Sequence, residues 1–163
     1  MGLLWSILGY EDESQIDPVT GLSIREKKLI RSTKEPLMKN VCETGAAILH
    51  EFFVRHPSYQ DFFPFKGVPL SGIKTNKKFL AHCNSVMYAI SSWIDSLDDP
   101  ELLIAMLKKL GSNHARHKLP QQSFWDLREV ILDCIKPLFP EETRNAFKKF
   151  LDLAINESLS GDS

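Results

Sequence analysis

The sequence predicts an all-α protein, and three observations carry that prediction. Apolar residues recur at helical spacing in each interval between prolines and glycines. No stretch alternates with period two for long enough to form a strand face. Glycine is scarce, at 8 in 163 residues. No G-x-G-x-x-G, G-x-x-x-x-G-K or G-x-S-x-G string occurs, so phosphate loops and hydrolase elbows lose their main support. With 43% hydrophobic residues, the chain is large enough for one domain with a real core. Twenty basic residues against 21 acidic ones give a net charge of −1. That balance excludes the basic footprint of a nucleic-acid binder. No apolar run approaches the ~20 residues that cross a bilayer. Cys42, Cys83 and Cys134 lie far apart and are odd in number, which suits a reducing compartment better than a disulfide framework.

The first residues, Met1-Gly2-Leu3-Leu4-Trp5-Ser6-Ile7-Leu8, are apolar and run into the acidic Glu11-Asp12-Glu13. Without a positive flank or a cleavage site, they make a poor secretory signal. They do match M-G-x-x-x-[ST], the pattern for acylation of a glycine exposed by methionine removal. Residues 1–21 therefore read as a flexible extension with a possible acyl anchor at Gly2. The folded domain covers 22–159 and a short tail 160–163.

Ser23 with Glu26 three residues on forms a capping box that opens the first helix, and Pro36 marks its far end. Between Arg25 and Lys39 stand six basic residues against two acidic ones. A solvated face is the default reading of that excess, and a membrane-facing one the sharper reading. The second helix, about Val41 to Arg55, carries Ile48, Leu49, Phe52 and Phe53 as its stripe. Gly45 inside it implies a close helix contact. His56-Pro57 ends this helix, and an aromatic corner of Tyr59, Phe62, Phe63 and Phe65 follows. A long helix opens at Thr75-Asn76 with Phe79, Val86, Ile90, Trp93 and Leu97 on one face, and His82 on that same face. Asp98-Asp99-Pro100 starts the next, striped by Leu103, Met106, Leu107 and Leu110, with His114 continuing four residues on. Pro120 starts another, with Phe124, Leu127, Ile131 and Leu138 inward. The last, from about Glu141, buries Phe147, Phe150, Leu151, Ala154 and Ile155.

Two of the five histidines interrupt apolar stripes. His82 and His114 lie on successive helices, and the break at Asp98-Asp99-Pro100 lets those helices face one cavity. A histidine on an apolar face is often a core residue satisfied by a backbone carbonyl, so a plain helical bundle fits this pattern. The sharper alternative is a flat iron porphyrin between the two imidazoles, which needs apolar walls and neutral nitrogen ligands. His114 and His117 share one helical turn, but two ligands without a third make a weak case for zinc.

Three strings resemble the globins, over roughly Ser23 to Leu159: His56-Pro57-Ser58-Tyr59-Gln60-Asp61-Phe62-Phe63-Pro64-Phe65, Phe79-Leu80-Ala81-His82-Cys83-Asn84-Ser85-Val86-Met87, and Leu110-Gly111-Ser112-Asn113-His114. The second is similar to the distal helix of neuroglobin, the third to the proximal L-G-x-x-H. The resemblance implies a globin fold of about eight helices around haem b. It makes His114 the proximal iron ligand and His82 the distal histidine, a possible sixth ligand. It places Leu49, Phe63, Val86, Leu110 and Phe124 on the pocket wall. Cys83 stands where many oxygen-storing globins have glycine, and Lys34 near the place of a frequent tryptophan.

What the resemblance implies about function is a protein that binds oxygen or another diatomic gas, in redox signalling or sensing at a membrane. Oxygen transport or storage is the first alternative. An enzyme reducing oxygen, nitrite or nitric oxide is the second, although no dedicated catalytic acid is visible. A globin-shaped module without haem is a third, and the histidine pair argues against it. The expected partners are the gas, an electron donor or acceptor, and the inner membrane leaflet, with no nucleic acid. The expected location is cytoplasmic, with a fraction anchored at the cytosolic face.

Overall fold

Helix α1 (Ile24–Met38) starts where the capping box places it. Ser23 Oγ accepts from the Glu26 amide at 3.1 Å, and Glu26 Oε2 accepts from the Ser23 amide at 2.7 Å. Pro36 lies inside the last turn rather than beyond it. It removes one late helical bond, and the helix ends two residues further on. The computed structural model describes residues 11–161; Gly2 and the apolar run around it lie outside the described residues. In order follow α2 (Val41–Arg55), a 3₁₀ turn (Pro57–Phe62), the short α3 (Leu70–Ile73), α4 (Lys77–Asp95), α5 (Pro100–Ala115), α6 (Gln122–Ile135) and α7 (Glu141–Leu159). Among the described residues, extended pairing is limited to one isolated bridge between Ile16 and Ser23. The all-α expectation holds, with eight helical elements among the described residues when the 3₁₀ turn is included.

Helix α2 packs on α4 and α6, α1 on α7 and α4, and α5 on α7. Phe53, Phe65, Phe79, Phe147 and Phe150 are fully buried between them. The closest crossings are made by glycine. A Cβ on Gly45 of α2 would sit 2.8 Å from the Cys83 carbonyl oxygen of α4. One glycine suffices for this approach, so Cys83 fits at the crossing with its own side chain fully buried. The second crossing is tighter: a Cβ on Gly111 of α5 would lie 1.8 Å from the Ser158 carbonyl oxygen of α7.

Three expectations change. The polar stretch before α1, where described, is folded back onto that helix: the Asp17 and Ile24 amides bond the Leu22 and Gln15 carbonyls, and Leu22 is fully buried. Leu138 is 57% exposed, because α6 ends at Ile135 before Pro137 and the stripe does not continue. The basic excess of α1 is matched by acids from elsewhere. Arg25 pairs with Glu142, Lys27 with Asp17, Lys28 with Glu13, Arg31 with Asp98 and Lys34 with Asp95. A face whose cations already have anions within 3 Å offers little field to an anionic surface. The solvated reading of that helix stands.

Candidate functional site

Helix α4 carries two stripes, offset by one side of the helix. Phe79, Cys83, Met87 and Ile94 are buried toward the helices α4 crosses. His82, Ser85, Val86, Ala89 and Trp93 instead face a cavity. The sequence reading merged these stripes because both follow 3- and 4-residue steps from Phe79. Asn76 anchors the start of α4 by accepting from the Lys78 and Phe79 amides, at 3.0 and 3.1 Å. Asp99 caps α5 through the Leu102 amide at 3.1 Å. Those two caps set the starting points of the helices that present the histidines.

The cavity encloses about 770 Å³ including its open mouth. Its far walls are Leu110 and His114 of α5, Phe124, Leu127 and Ile131 of α6, and Leu151, Ala154 and Ile155 of α7. His82 and His114 thus line one apolar space from successive helices. His114 Nδ1 lies 3.0 Å from the Leu110 carbonyl oxygen. A carbonyl only accepts, so the proton sits on Nδ1 and the Nε2 lone pair is left available. The Phe124 ring meets His114 edge-on at 5.4 Å and restrains its swing. Burial pushes His82 down to about 4, with smaller repulsion from His114 and His117. His82 is therefore neutral at physiological pH, the form that can ligate a metal. Phe63 packs edge-on against it at 5.0 Å.

Of the residues expected at the wall, Val86, Leu110 and Phe124 line the cavity with both histidines. Leu49 and Phe63 do not. Leu49 is buried in the core of α2, and Phe63 stands behind His82 among Phe53 and Phe65. Sequence reasoning put Trp93 on the His82 face without naming it a wall residue, and it missed Arg128 and Ser158 as lining residues. Ser158 is 1% exposed and its Oγ has no hydrogen-bond partner. Only the α5–α7 crossing, at Gly111, brings it to the wall, and nothing near Ser158 in sequence signals that.

The donor set fits an iron porphyrin. Among the described residues no cluster of three or more His, Cys, Asp or Glu could hold a bare metal ion. An ion here must bring its own equatorial ligands, and apolar walls with one imidazole on each side suit a macrocycle that does so. His117, one turn beyond His114, is exposed and gains no third partner for zinc.

Fold and site together define the class: the chain belongs to the globin family, whose model matches residues 46–158. The family implies a haem cofactor. The chain is 31% identical over 155 residues to extracellular globin-E1 of Artemia sp., covering 94% of this chain and 78% of that one. It is 29% identical over 123 residues to cytoglobin-1 of Oryzias latipes, covering 74% and 70%. Among solved structures, a Drosophila melanogaster globin superposes with a TM-score of 0.81 at 28% identity, covering 85% of this chain and 94% of that one. The hexa-coordinate haemoglobin of the same organism gives 0.80 at 28%, covering 84% and 93%.

Proposed function

We propose that this globin holds haem b with His114 as proximal ligand and His82 as the competing sixth ligand, and that it works in redox sensing rather than bulk oxygen carriage. The observation that carries the reading is the His114 ring: the 3.0 Å contact from Nδ1 to the Leu110 carbonyl frees Nε2 toward a cavity that His82 also faces. No cysteine lines that cavity, which favours a non-covalent haem. Bound there, haem supplies an iron that takes diatomic gases and changes oxidation state. His114, held by the Leu110 carbonyl and the Phe124 ring, would bind the iron through Nε2 with its imidazole already oriented. His82, neutral and backed by Phe63, either donates a hydrogen bond to an incoming ligand or holds the sixth position against it. The similarity to a hexa-coordinate haemoglobin supports the second role.

Absorption spectra of the purified ferric, ferrous and carbonyl forms test this. Sharp low-spin bands in the ferrous form are expected, displaced by carbon monoxide. A protein without a Soret band would end the haem reading; a five-coordinate ferrous form would end the bis-histidine one and leave oxygen transport or storage ahead.

The membrane part of the reading rests on the M-G-x-x-x-S string at Gly2 alone. One myristoyl chain gives only about 10⁴ M⁻¹. A second signal must come from Leu3, Leu4, Trp5, Ile7 and Leu8, with Trp5 suited to the headgroup level, because the cations of α1 are paired within the fold. Among the described residues no helix is long and apolar enough to cross a membrane. Fractionating cells that express wild type and Gly2→Ala decides the matter: equal partition into the soluble fraction removes the anchor and the inner-leaflet partner with it.

A further inference from the structure

A continuous ladder of aromatic rings leads from the cavity to the protein's edge. Phe63 meets His82 edge-on at 5.0 Å, Phe53 meets Phe63 at 5.2 Å, and Phe52 meets Phe53 at 5.2 Å. Phe52 then stacks on Tyr59 at 5.4 Å, with ring planes only 20° apart. The ladder ends in a polar group unlike anything else along it. Tyr59 Oη donates to Asp126 Oδ2 at 2.7 Å, and Gln122 Nε2 donates to Asp126 Oδ1 at 3.0 Å. His56 packs beside both, 5.6 Å from Tyr59 and 5.7 Å from Phe52, its Nδ1 3.7 Å from Asp126 Oδ2. Burial raises the Asp126 carboxyl, but the bonds from Gln122 and Tyr59 and the nearby His56 outweigh it and hold the carboxyl below its usual range. The same hydrogen bond, with some burial, raises the Tyr59 phenol. Asp126 is therefore an ionised acceptor facing a protonated phenol.

We infer that Tyr59 is a one-electron donor to the haem pocket, with Asp126 as the acceptor of its proton. The inference rests on the haem reading above. The phenyl rings are too hard to oxidise to act as stopping points, so they serve as the medium through which the electron tunnels. Tyrosine is oxidised at an accessible potential only if its proton leaves with the electron, and here the acceptor is already hydrogen-bonded to it. The oxidant is a peroxide reacting at the haem: its O–O bond breaks, and two electrons with two protons from solvent give two waters. Both electrons pass through Tyr59, in two successive oxidations with the phenol restored between them, so the cofactor would end in the state in which it began. As Tyr59 loses its electron, its O–H bond breaks and an O–H bond forms on Asp126 Oδ2. The products are a neutral tyrosyl radical and a neutral carboxyl. A one-electron reductant of the ascorbate or thiol class restores the phenol, and Asp126 returns the proton. The half-buried edge at Tyr59 and His56 would thus be where small reductants deliver electrons to a buried cofactor.

The test uses the haem-loaded full chain, mixed with hydrogen peroxide and freeze-quenched for electron paramagnetic resonance. A tyrosyl signal is expected in wild type. It should be lost in Tyr59→Phe, with the Soret band unchanged, and kept in Tyr10→Phe and Tyr88→Phe. Asp126→Asn, which keeps a hydrogen-bond acceptor but takes no proton, should reduce the yield. A second arm oxidises the haem-free protein with photogenerated ruthenium(III) tris-bipyridine and should give the same Tyr59 dependence and the same loss in Asp126→Asn. A signal that survives Tyr59→Phe, or one carrying the hyperfine pattern of Trp93 or Trp125, overturns the inference. Failure to take up haem overturns the functional reading instead, and the ruthenium arm still judges the Tyr59–Asp126 pair.

Discussion

Gly111→Ala is the sharpest perturbation of the site that leaves its ligands in place. The added methyl carbon would lie 1.8 Å from the Ser158 carbonyl oxygen, 2.7 Å from its carbon and 3.1 Å from its Cα. Ordinary non-bonded carbon contacts begin near ~3.5 Å, so α5 and α7 must separate by roughly 1.5 Å. All three atoms are backbone, and no rotamer change relieves them. Overpacking typically costs about 1–3 kcal/mol, and this geometry belongs at the upper end. Against it stands the gain of about 1 kcal/mol from replacing glycine inside a helix. The net is a loss of about 2 kcal/mol, or a melting temperature lower by about 4–8 °C in a domain of this size. Far-UV circular dichroism melts of the haem-free protein read this directly. Haem transfer to an excess of a scavenging apoprotein should also speed up, because His114 lies one turn from the displaced position. Gly72→Ala, where nothing lies within 4 Å of the new carbon, is the control. A Gly111→Ala protein as stable as wild type, or more so, would refute the reasoning, since propensity alone would then be deciding.

His114→Ala should lose most of its haem on purification and recover part of it with added imidazole; full retention with an unchanged spectrum would contradict the assignment. In the haem-free protein the burial that lowers His82 to about 4 from 6.5 makes stability pH-dependent. The unfolded chain takes up that proton first. The contribution is therefore intact above pH 6.5 and is lost as pH falls from 6.5 toward 4, by at most about 3 kcal/mol. Urea titrations across that window should give a flatter pH dependence for His82→Leu than for wild type, and equal slopes would dispose of the effect. Ser23→Ala removes one half of the α1 capping box and should cost about 1 kcal/mol, readable as a lower urea midpoint at an unchanged denaturant slope.

Local chemistry was legible and crossing geometry was not. Ser23 and Glu26 announce their helix start because the capping box is complete within four residues. Gly45 announces a close contact because a glycine inside an apolar helix needs a reason, and the Cys83 carbonyl is that reason. His82 and His114 could be paired because each breaks a stripe on helices joined by one clear break. The walls they share were only partly readable. Val86, Leu110 and Phe124 came with the family resemblance, whereas Ser158 and Arg128 reach the cavity through packing that no local pattern encodes. Leu49 shows the converse: its apolar position reads the same whether it faces the core or the cavity, and the rotation of α2 decides for the core. The charges of α1 count as a basic excess in the sequence for a related reason. Three of their five partners, Asp95, Asp98 and Glu142, are more than 60 residues away in sequence, so a window along the helix counts cations without their anions.

The fold-back of residues 13–23 sets the length of any tether at the N-terminus. Were that stretch slack, a chain held at Gly2 would let the domain wander to about 70 Å, the extended span to Ser23. Because Glu13 is paired with Lys28 and its carbonyl accepts from the Arg25 amide, while Asp17 is paired with Lys27, the reach of such a tether is bounded at Glu13, where the chain length from Gly2 allows at most about 40 Å. An anchored copy would therefore hover within about one molecular diameter of the bilayer. A pull on its leader would arrive at the start of α1 rather than being absorbed along the way.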